Sequence, residues 1–343
     1  MKIAIDAMGG DFSPAEPVKG AIIAAKDFDI EIALVGPPAL IEAELKRHGS
    51  PRGVSIVPAG EAIAMEEDHI VQAVRSRRDA SINVAMTMVR DGEAQAVVSA
   101  GNTGAVMASA IVYLGRIHGI ERPALGTLLP YNAGRVFLID AGANPECKPN
   151  YLFQFGQMGS AFMENVVGVE RPRVGLLNVG EESVKGNVLA QEAFERLRDS
   201  DLNFIGNVEG VEVHKGICDV VVTDGFTGNI ALKVGEGIAD YILQQIRDVI
   251  RSSPIFLSAA VLFKPAMRRV LRRLQYEEYG GANLLGVNGV TVIAHGRSDA
   301  SAIRNAIRVA KTAAQSGLLE SMRESLASTA AKTQAASTQA AST

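Results

Sequence analysis

The chain has 343 residues, 47% of them hydrophobic and 21% charged, which supplies a buried core and excludes disorder over most of its length. Lys and Arg number 34 against 38 Asp and Glu, a formal charge of −4, so a generally basic coat is excluded and no nucleic-acid partner is expected. The two cysteines, Cys147 and Cys218, form no CxxC; they offer neither a disulfide framework nor a zinc ribbon and fit a reducing cytoplasm.

In chain order, Met1–Asp6 reads as a strand ending in an acid, not as a signal peptide. Short runs rich in Val, Ile and Leu then alternate with longer helical patterns. The predicted strands are Lys2–Asp6, Glu31–Val35, Val54–Val57, Ala96–Ser99, Leu125–Leu129, Val136–Ile139, Val174–Asn178, Val220–Thr223 and Val290–Ile293. Strands without polar alternation are buried on both faces, and their alternation with helices predicts parallel βαβ units in a three-layer α/β/α, Rossmann-like sheet. Residues 61–92 hold two successive helical patterns, with the charges Arg75, Arg77, Arg78 and Asp79 in a solvated turn between them. The longest uncharged run, Ala94–Gly115, has the length of a membrane span. Ser99, Gly101, Asn102, Thr103 and Gly104 in its middle make it a strand, a polar loop and a helix. Phe226–Tyr279 is a long helical stretch interrupted by Pro254 and Pro265, and about residues 240–280 are expected to protrude. Residues 1–326 are expected to form one α/β catalytic domain. The Ala/Ser/Thr/Gln tail, 327–343, cannot bury enough apolar surface to offset chain entropy and is expected to be disordered.

Most of the predicted strands run directly into a loop of glycines and polar residues. Asp6-Ala7-Met8-Gly9-Gly10-Asp11, Ser99-Ala100-Gly101-Asn102-Thr103-Gly104, Asp140-Ala141-Gly142-Ala143-Asn144, the loop Asn178–Gly186, Asp224-Gly225-Phe226-Thr227-Gly228-Asn229 and His295-Gly296-Arg297-Ser298 each begin at a strand end. Carboxyl ends of parallel strands share one edge, so these loops are expected to converge on one site. Glycine lets backbone approach a ligand, and a helix N-terminus presents free N–H groups, which suits an anion. Ordinary turn and capping chemistry uses the same residues. GxGxxG after a strand, GxxxxGK[ST], GxSxG and HExxH are all absent, and the five histidines show no ligand spacing. Only His69, within Glu66-Glu67-Asp68-His69, and His295, at a strand end, stand out. Cys147 has no nameable partner base and reads as a spectator thiol.

The segments Ile5–Asp11, Ser99–Ala105, Cys147-Lys148-Pro149, Asn178–Glu182, Lys185-Gly186, Gly206-Asn207-Val208-Glu209-Gly210, Asp224–Asn229 and Tyr276-Glu277-Glu278-Tyr279-Gly280-Gly281 resemble the bacterial phosphate:acyl-ACP acyltransferases of phospholipid synthesis. The resemblance runs in order from residue 1 to about 315. It departs at Asn283, where the family more often has proline, at the Arg297-Ser298-Asp299 variant of a small polar loop, and in the tail, which has no counterpart. It implies transfer of a fatty acyl group from acyl carrier protein to inorganic phosphate, giving acyl phosphate. It also implies a fold like that of phosphotransacetylases and isopropylmalate dehydrogenases, and a cytoplasmic homodimer that visits the inner face of the membrane beside a glycerol-phosphate acyltransferase.

That chemistry suits the residues. Phosphate is already anionic near neutral pH; it needs orientation, an oxyanion donor and a shielded acyl slot, with neither metal nor cofactor nor a covalent enzyme intermediate. Lys185 is the candidate for charge neutralisation, with an ion pair to Glu181 or Glu182 as its alternative role. Asn102, Thr103, Asn178 and Asn229 are candidate donors to the oxyanion or the phosphate, Asn229 and Asp224 being placed with Lys185 in the catalytic group, and His69 is a proton source for the departing thiolate. The candidate phosphate and substrate ligands are Asp6, Gly9, Gly10, Ser99, Gly101, Asn102, Thr103, Gly104, Asp140, Asn144, Asn178, Glu181, Gly225, Thr227 and Gly228. After Pro254 comes an apolar run, including Ile255, Phe256, Leu257, Val261, Leu262 and Phe263, too short to span a bilayer. Arg268, Arg269, Arg272 and Arg273 then occupy one face of a helix whose opposite face carries Met267, Val270, Leu271 and Leu274. This segment suits anionic lipid or the acidic surface of acyl carrier protein, or else a dimer interface with solvated arginines. Rival readings are a phosphotransacetylase using acyl-CoA, a metal-dependent decarboxylating dehydrogenase, whose aspartate and arginine clusters are not found, and a non-catalytic membrane-surface scaffold.

Overall fold

The computed structural model describes residues 1–49, 51–131, 134–253, 256, 258 and 280–326. The strands are β1 Lys2–Asp6, β2 Glu31–Gly36, β3 Val54–Pro58, β4 Ala96–Ser99, β5 Ala124–Tyr131, β6 Gly134–Ile139, β7 Val174–Asn178, β8 Phe204–Glu209, β9 Val220–Val222, β10 Ala282–Leu285 and β11 Val290–Ile293. Between them run α1 Ala15–Phe28, α2 Pro38–His48, α3 Ile70–Ser76, α4 Ser81–Arg90, α5 Thr103–Ser109, α6 Pro149–Phe162, α7 Val188–Arg198, α8 Gly210–Val213 and α9 Gly225–Arg251. The last strand leads into α10, Ala300–Gln315.

The strands make one sheet in the order β3-β2-β1-β4-β11-β10-β5-β6-β9-β7-β8. Alternate residues of each strand face opposite layers. Ile3, Ile5, Ile32, Leu34, Phe137, Ile139, Val220 and Val222 pack toward α1, α2, α6, α7 and α10. Ala4, Ala33, Val35, Val97, Leu138 and Val221 face the layer that holds α4 and α5. The expected three layers are therefore present, and both faces of the sheet are covered.

Strand direction departs from the all-parallel expectation. β1, β2, β3, β4 and β11 run parallel, and β6, β7, β8 and β9 run parallel to one another. Between the groups, the β11–β10, β10–β5 and β5–β6 pairings are all antiparallel. Three reversals leave the two groups running in opposite directions. β8 and β10 were not among the predicted strands: Gly206 and Asn207 break the apolar run of β8, and β10 has only four residues after Gly280-Gly281.

Of the four charges expected between the two helices, Arg77, Arg78 and Asp79 fall in the turn between α3 and α4, while Arg75 lies within α3. α9 spans 27 residues and buries only Gly225 and Gly228. Phe226, Ile230, Val234, Ile238 and Ile242 recur along it at four-residue spacing and stay exposed. Ile255, Leu257, Val261, Leu262, Phe263, Arg268, Arg269, Arg272 and Arg273, and the tail 327–343, lie outside the described residues, whereas Phe256 is described and exposed.

The central hairpin is tightly packed. The Phe137 ring stacks on Phe162 at 4.2 Å between centroids, and a Cβ added at Gly126 on β5 would collide with it. Gly126→Ala should therefore cost about 1–3 kcal/mol through overpacking. A lowered denaturation midpoint would show this; an unchanged midpoint would mean that the ring yields freely.

Candidate active site

At the carboxyl end of β1, Asp6 is 2% exposed and joins two loops. Its Oδ1 accepts the Ser81 hydroxyl at 2.6 Å and the Met8 N–H at 3.2 Å. Its Oδ2 accepts the Ser99 hydroxyl at 2.7 Å, and Ser99 Oγ in turn accepts the Gly101 N–H at 3.0 Å. Burial pushes the Asp6 carboxyl above the ordinary carboxylate range, against the pull of the serine hydrogen bonds. Gly9 is required here: an added Cβ would lie 2.7 Å from Gly101 N and 2.8 Å from Asp6 Oδ2. Asp6 and Ser99 thus hold loops together, and both side chains are buried.

Asn102 caps α5 by accepting the Ala105 N–H, while its Nδ2 donates to Met65 O at 2.7 Å. Both ends of its amide are engaged, which is the ordinary capping role. Thr103 and Gly104 open α5, and Ile70 packs against Gly104, so the exposed His69 lies on a segment bordering this edge. Gly10 Cα sits under the His295 loop, where Asp11 N–H donates to Gly296 O at 2.8 Å.

The second group of loops is built on Asp140, which is fully buried. Its Oδ1 accepts the N–H groups of Leu125, Gly142 and Ala143 at 3.2, 3.2 and 2.8 Å. Its Oδ2 accepts both the backbone N–H and the side-chain amide of Asn144 at 2.8 Å. Burial raises its pKa although these donors oppose the shift. Asn144 Nδ2 also donates to Pro123 O, so the buried side chains of Asp140 and Asn144 tie this loop to the start of β5.

The first turn of α9 docks on this support. Gly225 N–H donates to Asn144 O at 2.8 Å, and a Cβ at Gly228 would run into Asp140 O. Asp224 caps the helix, its carboxylate accepting both the N–H and the hydroxyl of Thr227. Gly225, Thr227 and Gly228 therefore turn their N–H groups inward, and Phe226 N–H is left free at this turn among the described residues. Asn229 stands against Gly142, 3.4 Å from a Cβ built there; its half-buried amide has no hydrogen-bond partner among the described residues.

Beside it, on the carboxyl end of β7, Asn178 Nδ2 donates to Lys185 O and Asn178 Oδ1 accepts the Val179 N–H. Asn207 and Gln191 donate to further carbonyls of the same loop, Glu182 O and Val184 O. Lys185 lies along Gly180 and pairs with neither Glu181 nor Glu182; it has no salt bridge among the described residues. Glu181 instead neighbours Glu212, which holds its carboxyl above the ordinary range, while Lys215 holds Glu212 below it.

The sequence-predicted residues thus fall into two groups. β6, β9 and β7 are parallel neighbours, so Asp140, Asn229, Asn178 and Lys185 share one carboxyl edge. Asp6, Ser99 and His295 share the carboxyl edge of β1, β4 and β11, which run the other way. The single edge expected from an all-parallel sheet is replaced by two. Ser81 and Arg122 escaped the sequence reading. Ser81 comes after a turn, not a strand. Arg122 precedes β5, and only the antiparallel β5–β6 pairing carries it to the Asp140 edge, where it lies over the Tyr151 ring at 6.0 Å.

Cys147 Sγ lies 3.4 Å from Asn144 O, and burial next to the Asp140 charge pushes its thiol up to about 12. A thiol so protonated is a poor nucleophile. Cys147→Ala should retain turnover, and iodoacetamide should leave Cys147 unlabelled at pH 8; rapid labelling would contradict this environment.

A family model described as fatty acid synthesis protein matches residues 1–321. A phosphate acyltransferase of Heliobacterium modesticaldum is 50% identical over 326 residues, covering 94% of this chain and 97% of that relative. One from Desulfitobacterium hafniense is 48% identical over 327 residues, covering 95% and 98%. Among solved structures, a phosphotransacetylase from Streptococcus pyogenes superposes with a TM-score of 0.63 at 15% identity, covering 92% of this chain and 94% of that one. The phosphotransacetylase EutD from Staphylococcus aureus gives 0.59 at 13% identity over the same shares. At such identities the shared feature is the fold.

Proposed function

The chain belongs to the fatty acid synthesis protein family, and from that premise we propose that this acyltransferase moves a fatty acyl group from acyl carrier protein to inorganic phosphate, releasing acyl phosphate for phospholipid synthesis. Its relatives are named phosphate acyltransferases. The observation that carries the reading is the half-buried amide of Asn229, without a hydrogen-bond partner among the described residues and set on the Asp140 support, with Lys185, which forms no salt bridge among them, on the same edge.

The two carboxyl edges serve one reaction if they face each other. Strands twist by about 20–25° per step. Over the six steps from β1 to β9 that amounts to roughly 120–150°, enough to offset much of the reversal of direction, and both edges are proposed to border one cleft. Free N–H groups at the start of α5 and at Phe226 of α9, together with Lys185, then orient phosphate from both sides. A phosphate oxygen attacks the thioester carbonyl carbon; the carbon–oxygen bond forms as the carbon–sulfur bond breaks. Asn229 donates to the developing oxyanion, and the carrier's thiolate leaves with its electron pair, His69 standing by as a proton source.

Lys185→Ala and Asn229→Ala should each keep the fold and lower turnover by about 10²-fold or more, read by trapping acyl phosphate with hydroxylamine. Near-normal turnover with unaltered phosphate dependence in both variants would refute the assignment. Supplying one acyl group on carrier protein and on CoA decides the donor: preference for the CoA thioester would favour the phosphotransacetylase-like alternative.

The enzyme is further proposed to be a cytoplasmic homodimer that docks on the inner face of the membrane, next to the glycerol-phosphate acyltransferase that consumes its product. The apolar stripe of α9 and the run Ile255–Phe263 with its following arginines support this. No helix among the described residues is long and apolar enough to cross a membrane. Replacing Leu257 and Leu262 together by Glu should abolish binding to anionic liposomes; retained binding would contradict insertion.

A further inference from the structure

Away from both loop groups, a cavity of about 450 Å³ opens between α10, the end of α6 and the β5–β6 hairpin. That volume lies within the range of small-molecule pockets and far exceeds what one water fills. Three guanidinium groups line it. Arg135 opens β6, is exposed and has no ion-pair partner among the described residues. Arg304 is fixed in place: its Nε donates to Asp27 at 2.6 Å, its Nη1 to Asn305 Oδ1 at 3.2 Å, and its guanidinium lies 4.8 Å from the Phe28 ring centroid. Arg308 sits one turn later on α10. No acidic side chain is among the described residues lining the cavity.

Ser301, Asn305 and Thr312 add further polar groups, and one side of the cavity is apolar, formed by Leu128, Val166, Val167 and Val309. Guanidinium forks match the oxygens of a phosphate group, and the apolar wall accepts a hydrocarbon arm beside it. We propose that this cavity binds a phosphate-bearing amphiphile, an alkyl or acyl phosphate monoester. α10 belongs to the first strand group and β6 to the second, so such a ligand would bridge the two halves of the sheet. The binding claim rests on the cavity itself and stands apart from the transfer reaction proposed above.

Calorimetric titration of the full chain with octyl phosphate tests it, with inorganic phosphate and octanoate as comparison probes. Saturable binding of octyl phosphate is expected, about tenfold or more weaker in Arg135→Glu and in Arg135→Ala. Both variants should keep the wild-type unfolding midpoint, since Arg135 is exposed, and should still form acyl phosphate. Asn229→Ala should bind octyl phosphate as wild type does. Absence of saturable binding, equal affinity in the Arg135 variants, or loss of binding in Asn229→Ala would overturn the site. Inorganic phosphate binding as tightly as octyl phosphate would overturn the amphiphile assignment. Failure of the wild-type chain to make acyl phosphate would sink the proposed reaction and leave these titrations untouched.

Discussion

A continuous sheet whose strand direction inverts partway across must present its loops at two edges. Here the inversion is made by β10, β5 and β6, whose antiparallel pairings separate two parallel groups. The candidate residues on the strand-end loops belong to one edge or the other. The right-handed twist of neighbouring strands is the physical property that can bring such edges to face one another. A flat sheet of the same connectivity would hold them apart.

Each edge is organised by a buried carboxylate at a strand end. Asp6 accepts two hydroxyls and a backbone N–H, and Asp140 accepts four backbone N–H groups and an amide. In both, the acid is itself out of contact with solvent, and the loops it gathers carry the groups that remain free. Such a support has a clear consequence for function. Glycines at positions 9, 225 and 228 let backbones touch, which fixes Asn229 and the start of α5 without help from a ligand. A preorganised donor is worth more at a developing oxyanion than one that must be ordered during the reaction.

Much of the fold was legible in the sequence, because β1, β4, β7 and β11 are apolar runs bounded by Gly, Asn or Asp, and periodicity locates such runs well. Direction was legible at one place that the all-parallel expectation passed over: the six residues Pro130–Arg135 between the apolar runs of β5 and β6 are too few for a parallel crossover and include Asn132 and Gly134, a hairpin signal. The antiparallel pairing of β10 was not legible, because that strand itself is only four residues long. At the site, the loops do sit at strand ends, while several side chains act otherwise than their types suggest. Asp6, Asn102, Asp140, Asn144 and Thr227 had the residue types of ligands, yet their side chains cap helices or tie loops. Capping and ligand binding draw on the same amides and carboxylates, so residue identity alone cannot separate them. Lys185 shows the opposite case: three amide side chains clamp its loop, and its ammonium stays out of the ion pairs that the neighbouring glutamates offered.

Amide hydrogen exchange in the presence of inorganic phosphate bears most directly on whether the two edges share one anion. Slowed exchange is predicted together at residues 102–104 of the first edge and at 180–186 and 225–229 of the second. Protection confined to one edge, or to neither, would contradict a common phosphate site and with it the transfer geometry.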